Sequence, residues 1–192
     1  MSNLILASAS PRRQQLLAQL GLPFDILPAD IDERHWPSEI PEAYVTRMAC
    51  TKARQLAQEN PTVFVLGADT IVTMDGQILG KPQDAEEARA MLRQLSGRQH
   101  DVLTGLALLQ HDLALTQIDN VRTRVRFRPL DEAEIDAYVA TGEPFDKAGS
   151  YAIQGYGGRF VDSYDGCYTN VVGLPIRQTA AMLRAAGLTP SL

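Results

Sequence analysis

"LILASASPRR", residues 4–13, decides how the chain begins to fold. The apolar run before Ser8 reads as a buried strand. Ser10 is a good helix N-cap, because its hydroxyl can accept from the first unpaired backbone N–H groups. Pro11 suits the first helical position, where a missing N–H costs nothing. The helix then continues through "RRQQLLAQL", with Leu16, Leu17 and Leu20 on one face and Gly21 as its stop. A helix N-terminus carries partial positive charge, so Arg12 and Arg13 stand at its electrostatically wrong end. Two readings follow. Either this is a capped surface helix with solvated arginines, or something negative, such as a phosphate, sits there.

Working outward, "FDILP" (24–28) reads as a second strand and the acidic stretch 30–41 as a loop. Residues 41–59 have helical spacing. "TVFVLGADTIVTM" (62–74) is the clearest strand of the chain, interrupted at "GAD", and Asp75–Gly76 marks a hairpin turn. A strong helix spans 84–95, acidic at its start and basic near its end. Residues 99–128 alternate in the manner of two or three antiparallel strands, and helices follow at 131–140 and 175–187. The pattern carries no repeat, low-complexity segment or interdomain linker. It predicts one α/β domain with a mixed sheet over residues 1–192.

Composition narrows the function classes. The chain has 18 Lys+Arg against 23 Asp+Glu, a net charge of -5, which argues against a general nucleic-acid or membrane-surface binder. A local basic pocket is compatible with that balance. Cys50 and Cys167 form neither a metal-ligand spacing nor a disulfide framework, and read as two thiols in a reducing cytosol. The N-terminus lacks the long apolar core of a signal peptide, and no stretch reaches membrane-spanning length. A cytoplasmic protein is expected.

The strand ends concentrate the polar chemistry. The first delivers Ser8, Ser10, Arg12 and Arg13; the second Asp30, Asp32 and Glu33; the third Asp69 and Thr70. Ligands of open α/β sheets sit beyond such ends. A helix N-terminus beside two guanidinium groups suits a polyphosphate. Carboxylates beside phosphates call for a hard divalent cation, which takes one or two carboxylates plus phosphate oxygens. Asp69 leads as its ligand, though an aspartate there could simply cap a turn, and Glu33 is the weaker candidate. Lys81 and Lys147, flanked by Gly or Pro, fit functional loops or a plain surface. "GQILGKP" (76–82) is one residue short of a P-loop, and "GYGGRF" (155–160) lacks the third glycine of a dinucleotide fingerprint. His35, His100 and His111 show no paired metal spacing, and no serine-hydrolase elbow is present.

"LASASPRRQQLL", "GADTIV", "GKP" before a helix, "DKAGSYAIQGYGG" and "NVVGLP" together resemble the Maf family, named for inhibition of septum formation. The resemblance runs nearly end to end. It implies a cytoplasmic nucleoside triphosphate pyrophosphatase, usually a homodimer, with an elongated mixed β-sheet flanked by helices and two lobes around a central cleft, as in inosine triphosphatases. By motif, Ser8, Arg12 and Arg13 would hold phosphates. Glu33, Lys52, Asp69 and Lys81 would line the reacting end, with Asp69 as proton acceptor and Asp69 and Glu33 beside Mg²⁺ or Mn²⁺. Arg12, Thr70 and Gln154 match positions tied to substrate choice. A branch similar to 7-methyl-GTP pyrophosphatases has Trp before a single Arg in the first motif and Glu in the glycine motif. This chain has "PRR", "ADT" and "IQG", and so resembles the dTTP/UTP branch. Ser150, where Ala is common, and "RHWPS" (34–38) depart from the pattern and are expected to lie outside the mechanism.

The implied reaction cuts between the α and β phosphates of dTTP, UTP or modified pyrimidine triphosphates, in keeping with nucleotide-pool cleaning. The alternative is a regulator of cell division that binds nucleotide without turning it over. Asp69 beside the full cationic set favours the enzyme, since a sensor needs no proton acceptor.

Overall fold

Strand β1 (Leu4–Leu6) organises the sheet. In the computed structural model, which describes residues 2–191, β1 pairs in parallel with β2 (Asp25–Ile26) on one side and with β3 (Phe64–Met74) on the other. Helix α1 (Pro11–Ala18) connects β1 to β2, and α2 (Pro41–Glu59) connects β2 to β3. The spatial order β2-β1-β3 therefore reverses direction at β1. With right-handed crossovers this puts α1 and α2 on opposite faces of the sheet. It also makes the carboxyl ends of β1 and β3 a topological switch point.

The sheet continues through β5 (Gln99–Gln110), β6 (Leu115–Phe127) and β7 (Val161–Asp165), while β4 (Gln77–Leu79) folds back antiparallel on β3. Helices α3 (Ala85–Leu95), α4 (Glu132–Ala140), α5 (Tyr168–Val172) and α6 (Ile176–Ala185) complete the α/β architecture. The sheet is mixed, since β6 and β7 also run antiparallel. No helix among the described residues is long and apolar enough to cross a membrane.

Residues 99–127 form two long strands, within the two or three expected. Two expectations change. "GAD" does not interrupt β3, which runs unbroken through Gly67, Ala68 and Asp69. Both β7 and α5 are additions, as are the 3-10 turns between Glu143 and Phe160.

The chain divides into two compact units. The first comprises Met1–Thr70, Thr104–Val121 and Gly173–Leu192. Its core sets Ala49, Ala53 and Leu56 of α2 against Ile5, Val65 and Ala107 of the sheet. Small residues let the helix come close, and two glycines let it come closer. A Cβ on Gly67 would run into the Ala49 carbonyl, and one on Gly105 into that of Val45. Helix α2 thus rests its backbone directly on β3 and β5.

The second unit comprises Ile71–Leu103 and Arg122–Val172. Its core joins Leu92 and Leu95 of α3 to an aromatic cluster in which Phe127 meets Tyr151 and Phe160 edge-on. His100, only 3% exposed, places Nε2 2.8 Å from the Tyr151 hydroxyl. Helix α4 begins with a reciprocal capping box between Asp131 and Glu134.

Candidate active site

The pairing of β1 with β3 ends at Leu6 opposite Leu66. Asp69 and Thr70 follow three and four residues later on β3, past the last β1 partner. They occupy the place of a strand end although their own strand goes on, which is why β3 can hold them rigidly. Alternation along the strand sends them to opposite faces.

Asp69 shares its face with Gly67, the side on which α2 packs. There Lys52 Nζ lies 2.7 Å from Asp69 Oδ1 and 2.7 Å from Glu33 Oε1. Lys52 is only 8% exposed, whereas the Glu33 side chain is 55% exposed. One ammonium therefore bridges two carboxylates, and the buried member of the pair is fixed by the strand. Burial of an ammonium is tolerable only with such partners.

Thr70 faces the start of α1. Ser10 caps that helix as the sequence implies, accepting from the Arg13 N–H at 3.4 Å. Arg13 folds its guanidinium back. Nε donates to the Gly173 carbonyl at 2.9 Å, Nη1 to Ser8 Oγ at 3.2 Å and Nη2 to Thr70 Oγ1 at 3.0 Å. Thr70 Oγ1 also shares a 2.9 Å hydrogen bond with Thr104 Oγ1, which is fully buried. Burial pushes the Arg13 guanidinium below its ordinary pKa; Asp69 opposes this, Arg12 adds to it and Glu33 opposes it. Arg12, half-buried one position earlier, makes no hydrogen bond or ion pair among the described residues. The two arginines that look alike in sequence are thus in different states: Arg13 is committed to the protein and Arg12 is available to a ligand.

Glu33 is held by residues that the sequence reading did not single out. The Tyr44 hydroxyl donates to the Glu33 carbonyl at 2.8 Å. Burial first, then Asp69 and Glu33, push this phenol up to about 12, so it stays a donor. Arg47 pins the following segment, with Nε and Nη2 2.6 Å from the two Glu39 oxygens and Nη2 3.0 Å from the Arg34 carbonyl. Its guanidinium also stacks 3.9 Å over Trp36. The stretch "RHWPS" is therefore tied to α2 through Arg47. The signal was the row of polar residues Tyr44, Arg47 and Thr51 at helical spacing beside Lys52.

The remaining candidates belong to the second unit. Lys81 follows β4 and is exposed; Lys147 pairs with Asp146. Gln154 is exposed at the start of a glycine-rich turn, and no described residue hydrogen-bonds its amide.

Whether a divalent cation suits Asp69 and Glu33 follows from their partner. Among the described residues no group of three or more His, Cys, Asp or Glu could hold a metal alone. Two carboxylates drawn to one positive centre do fit the protein's half of a shell that substrate phosphates complete.

An α/β protein with a cationic helix start and a bridged carboxylate pair at its switch point is built to handle an anionic ligand. The chain belongs to the Maf-like protein family, which it matches over residues 3–186. It is 56% identical over 186 residues to a dTTP/UTP pyrophosphatase of Anaeromyxobacter dehalogenans, covering 96% of this chain and 94% of that protein. It is 54% identical over 186 residues to a dTTP/UTP pyrophosphatase of Myxococcus xanthus, covering 96% and 93%. Among solved structures it is similar to a HAM1 protein from Coxiella burnetii. That match has a TM-score of 0.56 at 17% identity and covers 96% of this chain and 100% of the other, a likeness of fold.

Proposed function

We propose that this protein is a nucleoside triphosphate pyrophosphatase that hydrolyses dTTP and UTP to the monophosphate and pyrophosphate. The observation that carries the reading is the Glu33–Lys52–Asp69 bridge at the carboxyl end of the parallel strands, beside the arginines of α1. Relatives at 54–56% identity named dTTP/UTP pyrophosphatase support it.

In this reading Arg12 binds the polyphosphate directly. Ser8 and Thr70 lie against the same anion and are held in place by Arg13, whose unspent N–H groups add to the contact. Asp69 orients a water and takes its proton as the new P–O bond forms and the α,β-bridging P–O bond breaks, with pyrophosphate leaving. Lys52 keeps the two carboxylates in register and offsets charge as it develops. A divalent cation, Mg²⁺ or Mn²⁺, held by Asp69 and Glu33 would supply Lewis acidity toward the phosphates. We assign Lys81 the role of a further phosphate cation, Gln154 a role at the base, and residues 1–192 to one Maf-like domain.

A carboxamide offers one donor and one acceptor, the complement of the N3–H and O4 of uracil and thymine. We further assign the protein to the cytoplasm as a homodimer, which sedimentation of the purified chain tests. The deciding experiment for the activity is pyrophosphate release from a panel of nucleotides with Mg²⁺. Release from UTP and dTTP well above CTP and GTP is expected; binding without release would leave only a nucleotide-binding regulator.

A further inference from the structure

Among the described residues Gln154 has no partner that orients it, yet the turn that carries it is tightly held. The holder is Glu143, eleven positions earlier at the start of a 3-10 turn. Its Oε2 accepts the Tyr156 N–H at 2.9 Å, and its Oε1 accepts the Gly157 N–H at 3.2 Å and the Tyr138 hydroxyl at 2.8 Å. Three donors from α4 and the turn thus converge on one half-buried carboxylate. The fit is close, because a Cβ on Gly155 would fall on the carboxylate itself. Gly157 in turn lies against the Tyr138 hydroxyl.

The protonation states suit the arrangement. Burial alone would raise the Glu143 carboxyl, but the hydrogen bonds from Tyr156, Tyr138 and Gly157 outweigh it and hold the group below its usual range. Tyr138 is pushed well above its ordinary value by burial and by its bond to Glu143, so it remains a donor. The Glu143 backbone is tethered as well, since Lys147 Nζ reaches its carbonyl at 3.5 Å. A capping role for the 3-10 turn would use backbone groups next to Glu143; these contacts reach thirteen and fourteen residues along the chain.

We propose that Glu143 is a positioning residue for base selection: its ionised carboxylate fixes the turn Gly155–Gly158 and thereby sets where Gln154 stands. This rests on the reading above, in which Gln154 meets the base. Glu143→Gln would present an NH₂ to one of the N–H donors, leaving a donor facing a donor. The turn would then loosen without any change at the residues that meet phosphate.

The test compares wild type, Glu143→Gln, Gln154→Ala and the double variant in kcat/KM for UTP, CTP and GTP, with inorganic tripolyphosphate as a competitive inhibitor that has no base. Glu143→Gln should reduce the UTP-to-GTP preference by about ten- to a hundredfold, the size of a lost hydrogen bond to a charged group. Inhibition by tripolyphosphate should stay as in wild type, and the double variant should be no less selective than Gln154→Ala alone. Amide exchange at Tyr156 and Gly157 should accelerate in Glu143→Gln. A wild-type preference in that variant overturns the proposal, whatever Gln154→Ala does. If Glu143→Gln shifts the preference and Gln154→Ala does not, the turn is positioned as proposed but Gln154 is not its reader. Should Glu143→Gln fail to fold, Tyr138→Phe removes one donor and should move the preference the same way by a smaller factor. An unmoved preference there overturns the proposal equally.

Discussion

Asp69 lies inside an eleven-residue strand with a helix backbone resting on it, whereas Gln154 stands in a succession of 3-10 turns. The first unit holds Arg13, Lys52, Asp69 and Thr70 on regular elements, and the polar groups there meet within 2.7–3.0 Å across segments far apart in sequence. In the second unit a buried aromatic cluster anchors irregular backbone, and one carboxylate gathers it. On the proposed function, the contrast separates two demands. Groups that handle phosphate charge must keep fixed distances from one another, which strands and helices enforce. A group that chooses among bases can sit on a turn, where one side chain can change without disturbing that frame.

The strongest way to break the comparison is at Asp69. Asp69→Asn should keep the fold and much of the nucleotide affinity while kcat falls by about 10²–10⁴-fold, the usual loss on removing a general base. A near-wild-type kcat would show that the rigid strand carries no chemistry.

Acid should act on the second unit's packing. Burial pushes His100 down to about 4, so this histidine is neutral in the fold and charges more readily when unfolded. Its contribution is therefore complete above about pH 6.5 and is lost as pH falls from there toward about 4. The loss is on the order of 3 kcal/mol. Urea titrations should show wild type losing stability across that window and His100→Gln losing less. Parallel profiles would mean the ring is not buried neutral.

The two arginines sharpen the comparison within the first unit. Arg12→Ala and Arg13→Ala should each weaken triphosphate binding, about ten- to a hundredfold for a lost charged hydrogen bond. Only Arg13→Ala should also destabilise the fold, by about 1–3 kcal/mol, because the Gly173 carbonyl and two hydroxyls each lose one hydrogen bond. Equal urea midpoints for the two variants would erase the distinction.

The smallest effect is expected at the turn. Gln154→Glu should cost about 1–3 kcal/mol in kcat/KM on UTP and dTTP, since O4 would face an acceptor. GTP should be spared that loss, because guanine offers two donors. Unchanged ratios among UTP, dTTP, CTP and GTP would remove Gln154 from base choice.

Much of the first unit was legible in the sequence because its signals are local. Ser10, Pro11 and the leucines of α1 announce the helix, and the length of α2 follows from an uninterrupted pattern. "GAD" misled because a glycine inside a strand reads as a break; only the position of α2 shows why Gly67 belongs there. Strand β7, "VDSYD", is largely exposed and polar, so no apolar alternation marks it. Asp69, Lys52 and Glu33 could be named from motifs, but the bridge that the Lys52 ammonium makes between the two carboxylates could not. Tyr44, Arg47, Thr104 and Glu143 act through partners remote in the chain or through backbone carbonyls and amides, which a linear reading does not expose. The unlike states of Arg12 and Arg13 depend on Gly173, 160 positions away from Arg13.

Gly67 and Gly105 bear no functional group, yet they work as a pair of spacers of zero thickness between α2 and the sheet. The reach of Lys52 is calibrated to that thickness. Any residue with a side chain at either position would lift the helix and draw the ammonium away from Asp69, even with every polar residue of the site intact. The geometry of the site therefore depends on two positions that a survey of reactive side chains would pass over. An engineer who wished to regrade the site would do better to vary the length of residue 52 than the chemistry of residue 69.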